Sequence, residues 1–112
     1  HYHNHHASGP TTKITARRIA HPILTGIDKT FTSKGSLYMT SPLAKGTTEL
    51  LSGSIPGKKA EPIAWTNQFG KARIFYTSLG HADDFKQPAF WQLMENAVRW
   101  TSQMKNAVAA RP

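Results

Sequence analysis

The chain has 112 residues, enough for one domain with a single modest core, and no apolar run long enough to span a bilayer. It contains no cysteine, which excludes disulfides, thiolate zinc sites and a cysteine nucleophile together. The net charge of +8 is spread along the chain in singles and pairs such as Arg17-Arg18 and Lys58-Lys59, with no basic run interleaved with aromatics, so specific nucleic-acid binding is not expected.

The first ten residues form a His-rich segment, His1-Tyr2-His3-Asn4-His5-His6, broken by Ser8-Gly9-Pro10. Alternation would place His1, His3 and His5 on one face of an extended strand, a spacing at which imidazoles bind zinc, copper or nickel, with His6 as a further ligand. The same segment reads equally as a solvated terminus or as a piece of a longer chain, in which case any metal there is adventitious.

Thr11 to Ile19 reads as a strand. His21-Pro22-Ile23-Leu24 is a compact apolar turn, and His21 before a proline suits packing or capping. A second strand is expected at Ser36-Leu37-Tyr38-Met39, after the turn signal Lys34-Gly35, and a third over Thr47 to Ser54. Glu61 to Asn67 and Lys71 to Ser78 form the clearest hairpin, joined through Asn67-Gln68-Phe69-Gly70. The β-branched and aromatic run Arg73-Ile74-Phe75-Tyr76-Thr77 predicts a buried, interior strand from Lys71 to Leu79.

That strand breaks at Gly80 and delivers His81, Asp83 and Asp84 just before a helix that starts near Pro88. Phe90, Leu93, Met94, Ala97, Val98, Thr101 and Met104 recur at helical spacing as a core-facing stripe, widened by Trp91 and Trp100. A strand that ends in a polar loop before a helix is where open α/β folds place ligands. His81 beside carboxylates is the candidate general acid/base or ligand contact. The competing reading is local: His81 fixes the turn while Asp83 and Asp84 serve the helix amino end. Tyr38, Trp65 and Tyr76 are candidate stacking platforms for a sugar ring, although strand aromatics commonly belong to a core. Adjacent carboxylates on one loop do not make a two-carboxylate hydrolase. No nucleotide-binding motif is present.

Ala64-Trp65, then Phe69-Gly70-Lys71-Ala72-Arg73-Ile74-Phe75-Tyr76-Thr77-Ser78-Leu79-Gly80-His81, Pro88-Ala89-Phe90 and Ala97-Val98-Arg99-Trp100 resemble the ThuA-like (trehalose-utilisation) family; His21-Pro22-Ile23 with Gly26, and Leu37-Tyr38, are similar to it in the same order. The resemblance implies an α/β domain with a flavodoxin-like, class I glutamine amidotransferase-like sheet of mixed strands and a carboxyl-terminal helix. On this reading residues 1–10 are the His-rich segment, 11–106 the carboxyl-terminal part of a ThuA-like domain, and 107–112 a tail. It also implies a bacterial protein tied to sugar utilisation, with a carbohydrate-derived ligand near His81. Amidotransferase catalysis is not expected, because the cysteine nucleophile is absent. Gly35 and Ser36 stand where the family often carries an acidic pair. The alternative function is a non-catalytic interaction module that completes or docks onto a partner domain. A half-domain should expose apolar sheet surface, predicting an oligomer or a missing amino-terminal half. The chain reads as soluble, and extracytoplasmic if a leader was removed from a precursor.

Overall fold

The computed structural model describes residues 4–5 and 9–102. Its strands are β1 (Asn4–His5), β2 (Thr12–Ala16), β3 (Thr30–Ser33), β4 (Tyr38–Met39), β5 (Thr48–Ser54), β6 (Glu61–Phe69) and β7 (Ala72–Thr77); one helix, α1 (Pro88–Thr101), follows. Single 3-10 turns occupy Pro22–Leu24 and Ala82–Lys86. Five strands form one sheet in the order β3-β2-β5-β6-β7, and β1 pairs separately with β4. Sheet plus carboxyl-terminal helix is an α/β arrangement compatible with the flavodoxin-like expectation. The pairing is antiparallel throughout the described residues, where a mixed sheet was expected.

The hairpin forms where the alternation predicts it, but its strands run further. Asn67 pairs with Ile74, Gln68 with Arg73 and Phe69 with Ala72, leaving only Gly70 and Lys71 in the turn. Gly70 takes a φ of +61°, the left-handed conformation that two-residue hairpin loops demand. The expectation of an interior strand at Lys71–Leu79 is corrected: β7 lies at the sheet edge, and Ile74 is 47% exposed. A β-branched, aromatic run has the same composition whether one neighbour or two flank it, so position within the sheet was not encoded locally.

The second expected strand also moves. Thr30-Phe31-Thr32-Ser33, ahead of the Lys34-Gly35 turn, pairs with β2, and only Tyr38–Met39 is strand after it. Leu37 is buried outside any strand. Between β5 and β6 the register slips twice. Glu49 faces Trp65 but Leu51 faces Ala64, so Leu50 is an extra residue in β5; Ser52 then faces Pro62, so Ile63 is extra in β6. These are two compensating bulges, each filled by a fully or almost fully buried aliphatic side chain.

The core gathers Ile14, Leu50, Leu51, Ile63 and Ala64 from the sheet, Ile23 from the first 3-10 turn, and Leu93 and Ala97 from α1. The helix stripe is narrower than its spacing suggests. Val98 and Trp91 are exposed, and the Trp91 indole N–H donates to the Phe85 carbonyl at 2.7 Å. Asn96 faces inward instead: its Nδ2 donates to the carbonyls of Ile23 and Thr25 at 2.8 and 2.7 Å, fastening α1 to the Pro22–Leu24 turn. Met104 and the tail lie outside the described residues, as do His1, His3 and His6. Of His5 only the backbone is described, opposite Tyr38.

Candidate functional site

The corner after β7 is built by its backbone. Gly80 has a φ of +138°, which side-chain-bearing residues rarely adopt, and nothing crowds its Cα, so the requirement there is conformational. His81 and Asp84 then close a capping box around the Ala82–Lys86 turn. His81 Nδ1 accepts from the Asp83 N–H at 3.1 Å, while Asp84 Oδ2 accepts from the N–H groups of Gly80 and His81 at 2.9 and 3.0 Å. Asp84 is 2% exposed, and its Oδ1 is buried without a protein partner.

This geometry settles which imidazole nitrogen carries the proton. Nδ1 accepts a backbone N–H, so the neutral ring is the Nε2–H tautomer. The Asp83 carboxylate lies 3.9 Å from Nδ1 and becomes its ion-pair partner only if the ring is protonated and gives up the cap. Otherwise Asp83 meets Lys86 at 3.4 Å and Lys34 at 3.8 Å, solvent-facing pairs of small energetic weight.

The His81 side chain is 41% exposed and forms one wall of a cleft of about 370 Å³. Ser78, Leu79 and Gly80 continue that wall; Gly35, Ser36 and Tyr38 make the opposite one. A Cβ on Gly35 would stand 3.3 Å from the Cβ of His81, so the missing side chain is what lets the walls approach. The structure thus brings Tyr38 and His81 together, with Asp83 and Asp84 behind them as cap and charge. Trp65 and Tyr76 are elsewhere: they are cross-strand partners, stacked at 4.2 Å with an 18° interplanar angle, and Trp65 is buried.

Two features escaped the sequence reading. Glu61 is 2% exposed, and its Oε1 accepts from Thr40 N, Ser41 N and Ser41 Oγ at 2.9, 3.0 and 2.9 Å. Burial pushes its pKa up, but the bonds from Ser41 and Thr40, helped by Lys59, outweigh burial and hold the carboxyl below its ordinary value. Its acceptor geometry anchors the strand that carries Tyr38. The second feature is at the other end of the β6–β7 hairpin, where His21 and Trp100 border a cleft of about 410 Å³. His21 caps the Pro22–Leu24 turn through Nδ1, which accepts from the Ile23 N–H at 3.1 Å, and its ring lies 5.1 Å from that of Trp100. Burial, and then the neighbouring Arg73 cation, lower its pKa below 6.5. Among the described residues no group of three or more His, Asp or Glu side chains is placed to hold a metal ion.

An antiparallel sheet backed by one helix, with a capped histidine opening on a cleft at the strand-to-helix corner, makes this a small α/β domain. The family model for ThuA, trehalose utilisation, matches residues 1–101, and the chain belongs to that family. It is therefore a sugar-utilisation-related domain. No curated protein matches the chain.

Proposed function

We propose that the domain binds a carbohydrate-derived small molecule in the cleft between Tyr38 and His81. The observation that carries this reading is the presentation of His81: its Nδ1 is committed to the cap, so the ring is held still, and the remaining Nε2–H is a fixed donor on a half-open cleft wall. Tyr38 across the cleft supplies an aromatic face of the kind that stacks on a sugar ring. Asp83 and Asp84 act as positioning residues, the first through charge near the ring and the second by holding the backbone beneath it. The ThuA membership is what supports reading the chain as the carboxyl-terminal part of a class I amidotransferase-like domain; Gly35 and Ser36, in the cleft wall where the family often carries an acidic pair, are a departure from that pattern.

The test uses the full chain, with the neutral sugars trehalose, sucrose and maltose as calorimetric titrants. His81→Ser keeps a capping oxygen but removes the ring, whereas His81→Ala removes both. Binding lost in both variants, with the serine variant as stable as the parent, supports the reading. Unchanged sugar binding by His81→Ser, or no heat from any of the three sugars, overturns it.

A second reading has its own observation. Phe69 (81% exposed) and Ile74 lie on the edge hairpin, and Phe85, Trp91 and Val98 are exposed around α1. An open strand edge with apolar side chains suits a module that docks onto another domain or a second copy. Sedimentation of a compact monomer at high protein concentration would remove it.

A further inference from the structure

At the turn end of the β6–β7 hairpin, one strand length of roughly 20 Å from the His81 corner, the second cleft has a different character. Thr48 and Thr66 are cross-strand partners, so their side chains project from the same face of the sheet. Gln68, two residues along β6, shares that face with its own partner Arg73. Arg73 Nη1 donates to the Trp100 carbonyl at 3.1 Å, and the guanidinium lies 5.0 Å from the Trp100 ring, so the end of α1 is pinned over this face. Lys45 enters from the loop before β5.

Three properties of this cleft belong together. Its size, about 410 Å³, falls within the range that holds small molecules. Its polar groups are predominantly hydrogen-bond donors or donor-acceptors: the Thr48 and Thr66 hydroxyls, the Gln68 amide, the Lys45 ammonium, and the Nε2–H left to His21 once Nδ1 is used in its cap. Its lining includes no carboxylate, and Glu49, the nearest acid along β5, pairs with Trp65 and so projects from the opposite face, where it meets Arg17. A fixed indole bordered by hydroxyls and amides suits a polyol ring, and Lys45 with Arg73 alongside supplies an uncompensated positive field.

We propose that this cleft is a second binding site, separate from the His81 corner, for a small polyhydroxylated anion, a sugar carrying a phosphate or carboxylate. Trp100 packs against the ring, the threonines and Gln68 bond its hydroxyls, and Lys45 faces the anionic group.

The test follows the Trp100 indole and Gln68 side-chain amide resonances of the full-length chain by NMR, at fixed ionic strength near neutral pH, as glucose 6-phosphate, glucuronate, glucose and inorganic phosphate are added in turn. Saturable shifts with glucose 6-phosphate or glucuronate, at least tenfold tighter than with glucose or phosphate alone, are expected. Lys45→Ala and Gln68→Ala, both at exposed positions, should each weaken them several-fold, and His81→Ser should leave them unchanged. Phosphate binding as tightly as the sugar anions means an adventitious ion only and overturns the proposal. So do glucose binding as tightly, no shift with either sugar anion, or loss of the shifts in His81→Ser. Because the two clefts are read by different residues, failure here leaves the His81 site standing, and the reverse.

Discussion

Replacing Glu61 by glutamine tests how the segment bearing Tyr38 is held. The side chain keeps its shape and an acceptor oxygen, but three bonds from Thr40 and Ser41 change from a charged to a neutral acceptor. A bond to a charged group contributes ~1.5–3 kcal/mol against ~1 for a neutral pair, so the substitution should cost about 2–3 kcal/mol at pH 7. That is a large share of the ~5–15 kcal/mol available to a small domain, yet leaves it folded. The pH dependence has a definite sign. The folded-state pKa of Glu61 lies below its ordinary value of 4.5, so the unfolded chain takes up the proton first as pH falls. The stabilisation is complete above that value and is lost as pH drops through the folded pKa. Urea unfolding of parent and Glu61→Gln should therefore differ most near neutrality and converge below pH 4.5. Lys59, 3.8 Å away and mostly exposed, is the control: Lys59→Ala should change stability by less than about 0.5 kcal/mol. A gap under 0.5 kcal/mol at pH 7, or one that stays constant down to pH 3, would refute the reasoning.

Gly53→Ala would place a Cβ 2.1 Å from Ile63 Cδ1 and 2.9 Å from Thr12 Cγ2, so a loss of about 1–3 kcal/mol is expected in chemical denaturation, and a Gly53→Ala, Ile63→Val double variant should recover part of it. Asn96→Ala strands the buried carbonyl of Ile23 and removes the partner of the more exposed Thr25 carbonyl; a loss of about 1–3 kcal/mol is expected, with amide exchange rising first around the Pro22–Leu24 turn. His21 should titrate below 6.5 by NMR, so its contribution to stability is present above that pH and lost as pH falls through the folded value; Arg73→Gln should move its midpoint upward, and a midpoint unmoved by that change would show that the Arg73 cation does not act on it.

Elements whose signal is local were readable in the chain. The β6–β7 alternation with Gly70 and the proline-started α1 are examples, and so is His21 ahead of Pro22, which does cap its turn. Properties that depend on distant partners were not. β7 reads as interior because side-chain composition does not count neighbouring strands. Glu61, at a strand start beside Lys59, has the sequence look of a solvated acid; only the arrival of Thr40 and Ser41 makes it a buried acceptor. Asn96 interrupts the apolar stripe with a polar residue whose partners come from a turn far earlier in the chain. At the candidate site the acids were expected at the amino end of α1, whose first turn carries none, whereas Asp84 caps the Ala82–Lys86 turn; the cluster of His81 with its acids was itself legible. The opposing wall was not, since Gly35 and Ser36 carry little chemistry of their own and matter through the room they leave.

The paired bulges carry a consequence for how this chain can change length. Leu50 adds a residue to one strand and Ile63 adds one to its neighbour, so beyond them the two strands are back in step. Deleting either alone would slide the remainder of the ladder by one position and turn inward-facing aliphatics toward water. Insertions and deletions in these two segments are thus coupled: lineages of this family that lack one extra residue should lack its counterpart too.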